Sequence, residues 1–362
     1  MFLKILLILI ITSTVSYLIL ISSNFSTPVN ILNPQSQNIV NTPPPTIPEF
    51  KPSIPTIELM FSEYHAWIAT ISAERIRVLL ATGDVMPARK VNIQATKLKN
   101  FKWPYEKTAD VLSDADITFI NLETPLIKDC PQIEGGFTFC GSEENVDGLV
   151  FAGVDIANLA NNHAGNFGLS GINYTTELLN RNGILVTGRF SPVYKDVRGL
   201  KFAFLGYNDI GLQEGVAAAS ETKIASDILE ARKEADVVVV AFHWGVEYQS
   251  QPDDRQKYLG HFAIDRGADL IIGNHPHWIQ PIEKYRDKII AYAHGNFIFD
   301  QEWSLKTKQG VVGKYTFYDN QLIDVEFLPV LIVNYGQPYF LVGRQKEDIL
   351  ENMKLQSGVL NR

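Results

Sequence analysis

Five of the seven histidines, His163, His243, His275, His277 and His294, fall where an apolar run gives way abruptly to polar residues. The segments are Leu79–Met86 (LLATGDVM), Ile117–Glu123 (ITFINLE), Ala157–His163 (ANLANNH), Val237–Glu247 (VVVVAFHWGVE), Leu270–His277 (LIIGNHPH) and Ile289–Asn296 (IIAYAHGN). Each begins as a sequence that would fill a buried strand and then reaches imidazole, carboxylate or amide, the side chains that bind divalent metals. Six such junctions in series predict one polar site gathered along the edge of a sheet, where open α/β folds bind ligands.

His275-Pro276-His277 is the sharpest local feature. Period-two alternation in an extended segment would turn both imidazoles to one side, toward one or two metal ions. His243, at the end of another apolar run, is a third candidate nitrogen ligand. Asp84 and Glu123 follow strands and could supply hard oxygen ligands, or instead cap the helix that follows. Beside the histidines, ligation is the preferred reading for both. In Asn161-Asn162-His163, an amide oxygen could be a neutral ligand and the imidazole a proton donor or an electrostatic stabiliser. A simple turn explains that triplet equally well. His65 and His261 lie in helical stretches and read as structural; His294 is left open.

The elements that must position these residues alternate. Strands are expected at 77–82, 116–121, 155–160, 184–187, 201–206, 236–242, 269–273 and 288–293. Helices are expected near 105–114, 144–152, 169–182, 221–234 and 254–267. This order predicts an α/β domain. Beyond Gly295, residues 310–318 and 322–333 are rich in β-branched and aromatic side chains around Asp319-Asn320-Gln321, which reads as a hairpin turn. The last twenty or so residues read as a short helix and a frayed tail.

With 362 residues and 46% hydrophobic content, the chain can bury a sizeable core. Its net charge of −8 and lack of basic runs argue against nucleic acid as a partner. Residues 5–21 carry no charge and follow Lys4, which predicts an uncleaved membrane anchor, with a cleaved signal peptide as the competing reading. Residues 24–57 hold eight prolines and read as a stalk. The expected order is therefore an anchor or signal at 1–23, a stalk or linker at 24–74, the folded domain at 75–345 and a tail at 346–362. That order makes a single-pass cell-membrane protein whose folded domain is extracytoplasmic. Cys130 and Cys140, the only cysteines, bracket Gly135-Gly136, which makes a disulfide the preferred reading over zinc binding.

GDVMPAR (Gly83–Arg89), NLETPL (Asn121–Leu126), LANNH (Leu159–His163), HWGVEY (His243–Tyr248), GADLIIGNHPH (Gly267–His277) and GNFIFDQ (Gly295–Gln301) together resemble the bacterial capsule-synthesis CapA/PgsA proteins. These are associated with poly-γ-glutamate capsules and related to calcineurin-like metallophosphatases. The resemblance runs through residues 77–301. It implies a four-layer architecture, a two-sheet β-sandwich flanked by helices, with the site at the strand carboxyl ends. It also implies metal ligation by Asp84, Glu123, Asn162, His243, His275 and His277, with Mn, Zn or Fe as the ion. His163 would be the acid or electrostatic catalyst, and Arg89 and Asn161 would contact substrate, Arg89 as a bidentate clamp. The implied activity is metal-assisted hydrolysis of a phosphoester or amide centre in a surface polymer or its precursor. The alternative is a polymer-binding or export component working with membrane synthase subunits. Two positions depart from the family pattern. Met86 stands where a metal-binding histidine is usual, and Asn166 where an acid commonly follows the N-N-H motif.

Overall fold

The computed structural model describes residues 52–361. The expected membrane segment at 1–23 and the proline-rich stretch up to residue 51 lie outside them. No helix among the described residues is long and apolar enough to cross a membrane.

Among the described residues the strands form two principal sheets. The first has eight strands: β1 (Ile76–Val85), β2 (Ile117–Leu122), β5 (Ile156–Asn158), β6 (Leu185–Thr187), β13 (Asn296–Ile298), β14 (Gln309–Tyr318), β15 (Gln321–Val333) and β16 (Gln337–Phe340). Its order is β16-β15-β14-β1-β2-β5-β6, and β13 pairs with the far end of β1. The second has six: β7 (Val193–Val197), β8 (Leu200–Asn208), β9 (Val237–His243), β10 (Leu270–Asn274), β11 (Ile282–Tyr285) and β12 (Lys288–Ala291), in the order β11-β12-β10-β9-β8-β7. A short pair, β3 (Leu126–Ile127) and β4 (Gly141–Ser142), stands apart.

Strand alternation sorts side chains into three layers. Leu79, Phe119, Ile156, Phe204, Val239, Ala241 and Ile272 meet in the core between the sheets. The opposite parity of the first sheet, including Leu80, Ile120 and Ala157, packs under α2 (Arg89–Leu98), α3 (Ala109–Ser113), α4 (Asn145–Phe151) and α5 (Gly168–Arg181). The opposite parity of the second sheet, with Val238, Val240 and Ile271, packs under α6 (Glu221–Glu234) and α7 (Asp254–Arg266). The result is the expected helix–sheet–sheet–helix sandwich.

The 309–333 hairpin extends the first sheet, because β14 pairs antiparallel with β1 and with β15. Helix α2 had no counterpart in the sequence reading. Its segment RKVNIQATKL is mostly polar, and its buried contribution is only Val91, Asn92 and Ala95. The folded part also exceeds 75–345 at both ends. At the start, α1 (Ile57–Met60) buries Ile57 and Met60 in the inter-sheet core. At the end, α8 (Gly343–Leu360) buries Ile349, Leu350 and Met353 there, so the helix runs through residue 360 and no frayed tail is left among the described residues.

Candidate metal centre

Five of the strands that line the inter-sheet core carry a polar residue at an inward position at or near their ends. β2 offers Asn121, β5 Asn158, β8 Asn208, β9 His243 and β10 Asn274, all at most 2% exposed. The polar layer therefore follows from the same alternation that builds the core. β1 would break the pattern, since counting by two from Leu79 and Ala81 arrives at Gly83. Its pairing with β2 shifts between Ala81↔Phe119 and Asp84↔Asn121, so one extra residue rotates Asp84 inward. Gly83 is needed there, because a Cβ would lie 2.3 Å from the Gly295 carbonyl oxygen.

Asn121 is the hub of this layer. Its amide nitrogen donates to Asp84 Oδ1 (2.8 Å) and to His243 Nδ1 (3.2 Å), and its oxygen accepts from Asn158 (3.1 Å) and Asn161 (3.3 Å). His243 is thereby turned so that Nε2 faces Asn162 Oδ1 at 2.8 Å and Glu123 Oε1 at 3.5 Å. His277 is also held at Nδ1, but as a donor where His243 accepts. Its Nδ1–H points at Asp84 Oδ2 and Asn296 Oδ1, both at 3.0 Å, and Nε2 keeps its lone pair. Both Asp84 oxygens already position other members of the site, Oδ1 through Asn121 and Oδ2 through His277 and the His275 amide.

His275 and His277 do converge, with ring centroids 5.8 Å apart, but not by extended alternation. β10 ends at Asn274, and the two histidines take φ of 98° and 57°. Such left-handed backbone is unfavourable for residues with a Cβ and persists where surrounding contacts impose it. One of those contacts is the bond from the His275 amide to Asp84 Oδ2 (3.4 Å).

Ligating atoms of Glu123, His243 and His275 lie within 4.8 Å of one another, as do those of Asp84, Glu123 and His277. Both Glu123 carboxylate oxygens, His275 Nδ1 and both amide atoms of Asn274 are buried without a hydrogen-bond partner. Burial, together with the charges of Asp84 and Glu247, holds the Glu123 carboxyl well above its ordinary range. Burial lowers His275 to about 3 and holds His243 well below its usual value, so both imidazoles are neutral at pH 7. His275 Nδ1 has a free lone pair, whereas His243 accepts from Asn121 at Nδ1 and carries its proton on Nε2. A divalent cation fits this set: it would use the orphaned donors and offset the crowded carboxylates.

His163 lies at the edge of the cluster, half-buried. Asn166 Oδ1 accepts from the Phe139 amide (2.7 Å) and from His163 Nδ1 (3.2 Å), which puts the ring proton on Nδ1 and leaves Nε2 for proton transfer. The Phe139 ring packs edge-on against the imidazole at 4.4 Å. Burial brings His163 down to about 4 despite the Asn166 bond. It is neutral at pH 7, and this favours accepting a proton over the expected donation.

The two substrate contacts differ from expectation. Asn161 is fully buried and its amide is consumed internally. Nδ2 donates to Asn121 Oδ1 and to the Leu122 carbonyl (2.9 Å), while Oδ1 accepts the amides of His163 (3.2 Å) and Ala164 (2.8 Å). It shapes the turn that carries His163 and has nothing left for substrate. Arg89 is paired with Asp300, donates to the Gly136 carbonyl (3.4 Å) and lies over the Phe139 ring. Only its buried Nε lacks a partner, so it is not a free bidentate clamp.

Met86 is buried in an apolar cluster with Ala88, Phe139 and Phe299, away from ligation. His294 is buried against the Tyr315 hydroxyl (2.9 Å), and His65 and His261 bond Asp324 and Glu283. Cys130 and Cys140 form the expected disulfide. The sequence reading missed Asn121, Asn274, Asn296 and Glu247. Asn121 and Asn274 lie at strand ends as His243 does, and that placement was the available signal, whereas Asn296 opens β13.

Residues 78–301 match a family model described as bacterial capsule synthesis protein PGA_cap. The chain is 33% identical over 267 residues to the PGA biosynthesis protein CapA of Bacillus subtilis, covering 68% of this chain and 70% of that one. It is 30% identical over 279 residues to the capsule biosynthesis protein CapA of Bacillus anthracis, covering 71% and 67%. A looser likeness, at a TM-score of 0.46 and 13% identity, covers 73% of this chain and 98% of a hypothetical protein from Thermus thermophilus.

Proposed function

Because this chain belongs to the bacterial capsule synthesis protein family PGA_cap, we propose that its strand-end cluster is a divalent-metal centre serving the synthesis of a poly-γ-glutamate surface polymer. The reaction would be hydrolysis at a phosphoester or amide centre of the polymer or its precursor. The observation that carries this reading is the pair of orphaned, fully buried Glu123 oxygens facing neutral imidazoles. Glu123, Asn162, His243, His275 and His277, with Asp84 beside them, would hold Mn, Zn or Fe. The ion would supply Lewis-acid polarisation of the reacting centre. Asn121 fixes the rotation of the His243 ring and Asp84 that of His277, whose Nε2 lone pair is left for the ion. His163 would handle a proton at Nε2, with Asn166 holding the tautomer. The Phe139 ring covers one side of that imidazole and limits water there. An extracytoplasmic location, anchored through residues 1–23, belongs to the same proposal, as does work alongside membrane synthase or export subunits.

The test is elemental analysis of the purified protein together with turnover on phosphoesters and γ-glutamyl peptides. Wild type should retain a divalent metal, and His243→Ala and His275→Ala should each lose it with activity reduced at least about 100-fold. Metal-free wild type, with variants indistinguishable from it, would refute the reading. Polymer binding without turnover would instead favour the alternative, a non-catalytic polymer-binding or export role.

A further inference from the structure

A cavity of about 220 Å³ lies next to the metal centre and supplies none of its residues. One wall is Trp278, Ile279 and Gln280, which follow His277 directly. Another is the 3₁₀ turn Lys306–Lys308 and the residue after it, through Lys306 and Gln309, and a third is helix α8. An aromatic rim joins this cavity to the histidines. The Tyr248 ring stands 6.1 Å from His277 and 6.1 Å from Trp278, and Trp303, 61% exposed, meets it edge-on at 6.0 Å. A chain held at the centre could therefore run along the rim and place its next unit in the cavity.

What the lining leaves unbonded decides what it can hold. Asn352 Oδ1 accepts from Gln356 Nε2, and Gln356 Oε1 accepts from Gln251 Nε2 (3.0 Å). Both carbonyl ends are engaged, and N–H donors remain on the two side chains. Gln280 is spent, its oxygen on Gln256 (2.9 Å) and its nitrogen on the Gln249 and Gln251 carbonyls. The Trp278 indole N–H, a donor only, is buried without an acceptor. The Lys306 ammonium lies 4.2 Å from the centre of the Trp278 ring and, among the described residues, forms no salt bridge. Asp348 is the one acid on the lining, and it already accepts from Arg344 Nε (2.7 Å). Spare donors beside a cation with no counter-charge select a ligand that is rich in acceptors and carries an anion. Trp278, Ile349 and Met353 add an apolar side suited to methylene groups. The volume falls below the roughly 300–1,000 Å³ of sites that enclose a drug-sized ligand, which leaves room for one unit of a chain.

We propose that this cavity is a subsite for one γ-linked glutamyl unit beside the unit at the metal centre. The α-carboxylate of that unit meets Lys306, its two methylenes lie against Trp278 and Met353, and its amide carbonyl takes the spare donors of Trp278 and α8. The inference rests on the polymer reading above, and the experiment separates the two. The full chain is titrated by calorimetry with a γ-linked glutamate hexapeptide and, because aromatic rims also stack sugars, with maltohexaose; bound metal is counted by elemental analysis. Wild type should bind the peptide and not the sugar. Lys306→Gln should weaken peptide binding about fivefold or more, and Lys306→Arg should keep most of the affinity. Asn352→Asp, which turns a donor into a like charge, should weaken it at least as much as Lys306→Gln. Lys308→Gln, off the lining, should stay near wild type. None of these residues is a metal ligand, so metal content should not change. If wild type binds the peptide and the Lys306 and Asn352 variants bind it equally well, the subsite is wrong and the polymer reading stands. If Lys308→Gln loses as much as Lys306→Gln, the effect is one of overall charge and the subsite is again wrong. If wild type binds no peptide, both fail, and the metal count still judges the centre by itself. Maltohexaose binding that is lost in Trp278→Ala would make the occupant a sugar and overturn the proposal. Lys306 is exposed, so its variants put no buried contact at risk, and melting curves identify any misfolded variant.

Discussion

At the scale of single residues, the centre is marked by polar atoms that have nothing to bond. Asn274 is the clearest case: it is 1% exposed, in register with His243, and both its amide atoms lack partners. An unsatisfied buried amide costs about 1–3 kcal/mol. Replacing it by an apolar side chain of similar size should therefore help the metal-free protein and harm the metal-bound one. Asn274→Leu is expected to melt higher than wild type in chelator, by the equivalent of about 1–3 kcal/mol, and to bind Mn²⁺ more weakly. A lower melting temperature in chelator would show that the amide has a structural role. Asn161 is the opposite case, with every polar atom used, and its type alone could not separate the two. Asparagine at a strand end is visible in sequence; whether its amide is spent or spare depends on neighbours far away in the chain, as the bonds of Asn121 to His243 and of Asn161 to Leu122 show.

At the scale of elements, the segment bridged by Cys130 and Cys140 behaves as a strap over the edge that carries His163. It brings Phe139 onto His163 and lends the Gly136 carbonyl to Arg89. Closing a loop of this length is worth about 2–3 kcal/mol, chiefly through the unfolded chain. The Cys130→Ser, Cys140→Ser double variant should lose about that much stability in denaturant titration, and reductant should do the same to wild type. An unchanged midpoint would mean that the Arg89 and Asn166 bonds hold the strap unaided. Strands were the legible elements, because a buried strand is written locally as an apolar run. Helix α2 was not, since a mostly polar helix on the outer face of a sheet leaves only a narrow apolar trace.

At the scale of the whole molecule, residues 52–74 belong to the folded unit and close its margin. His65 joins Asp324 on β15 at 2.8 Å. Burial alone would lower the His65 pKa, but the Asp324 bond and the Asp324 and Glu326 charges outweigh it, so the folded value is raised above 6.5. A raised folded pKa means stability fully present below about pH 6.5, the unfolded value, and lost as pH rises through the folded value. Wild type should thus lose stability across that window, and His65→Gln should flatten the slope; equal slopes in both would exclude the pair as the cause.

The sequence by itself determined the α/β class, the strand-end location of the polar residues and the residue types available there. All three follow from hydrophobic periodicity and an abrupt change of polarity, which are local properties, whereas the four-layer sandwich was implied only by the family resemblance. Tertiary structure alone decided which of those residues meet. The β1 bulge turns Asp84 inward, left-handed backbone brings His275 to His277, and the loop after β9 brings Glu247 near both. Each depends on contacts between segments distant in the chain, and no local pattern encodes them.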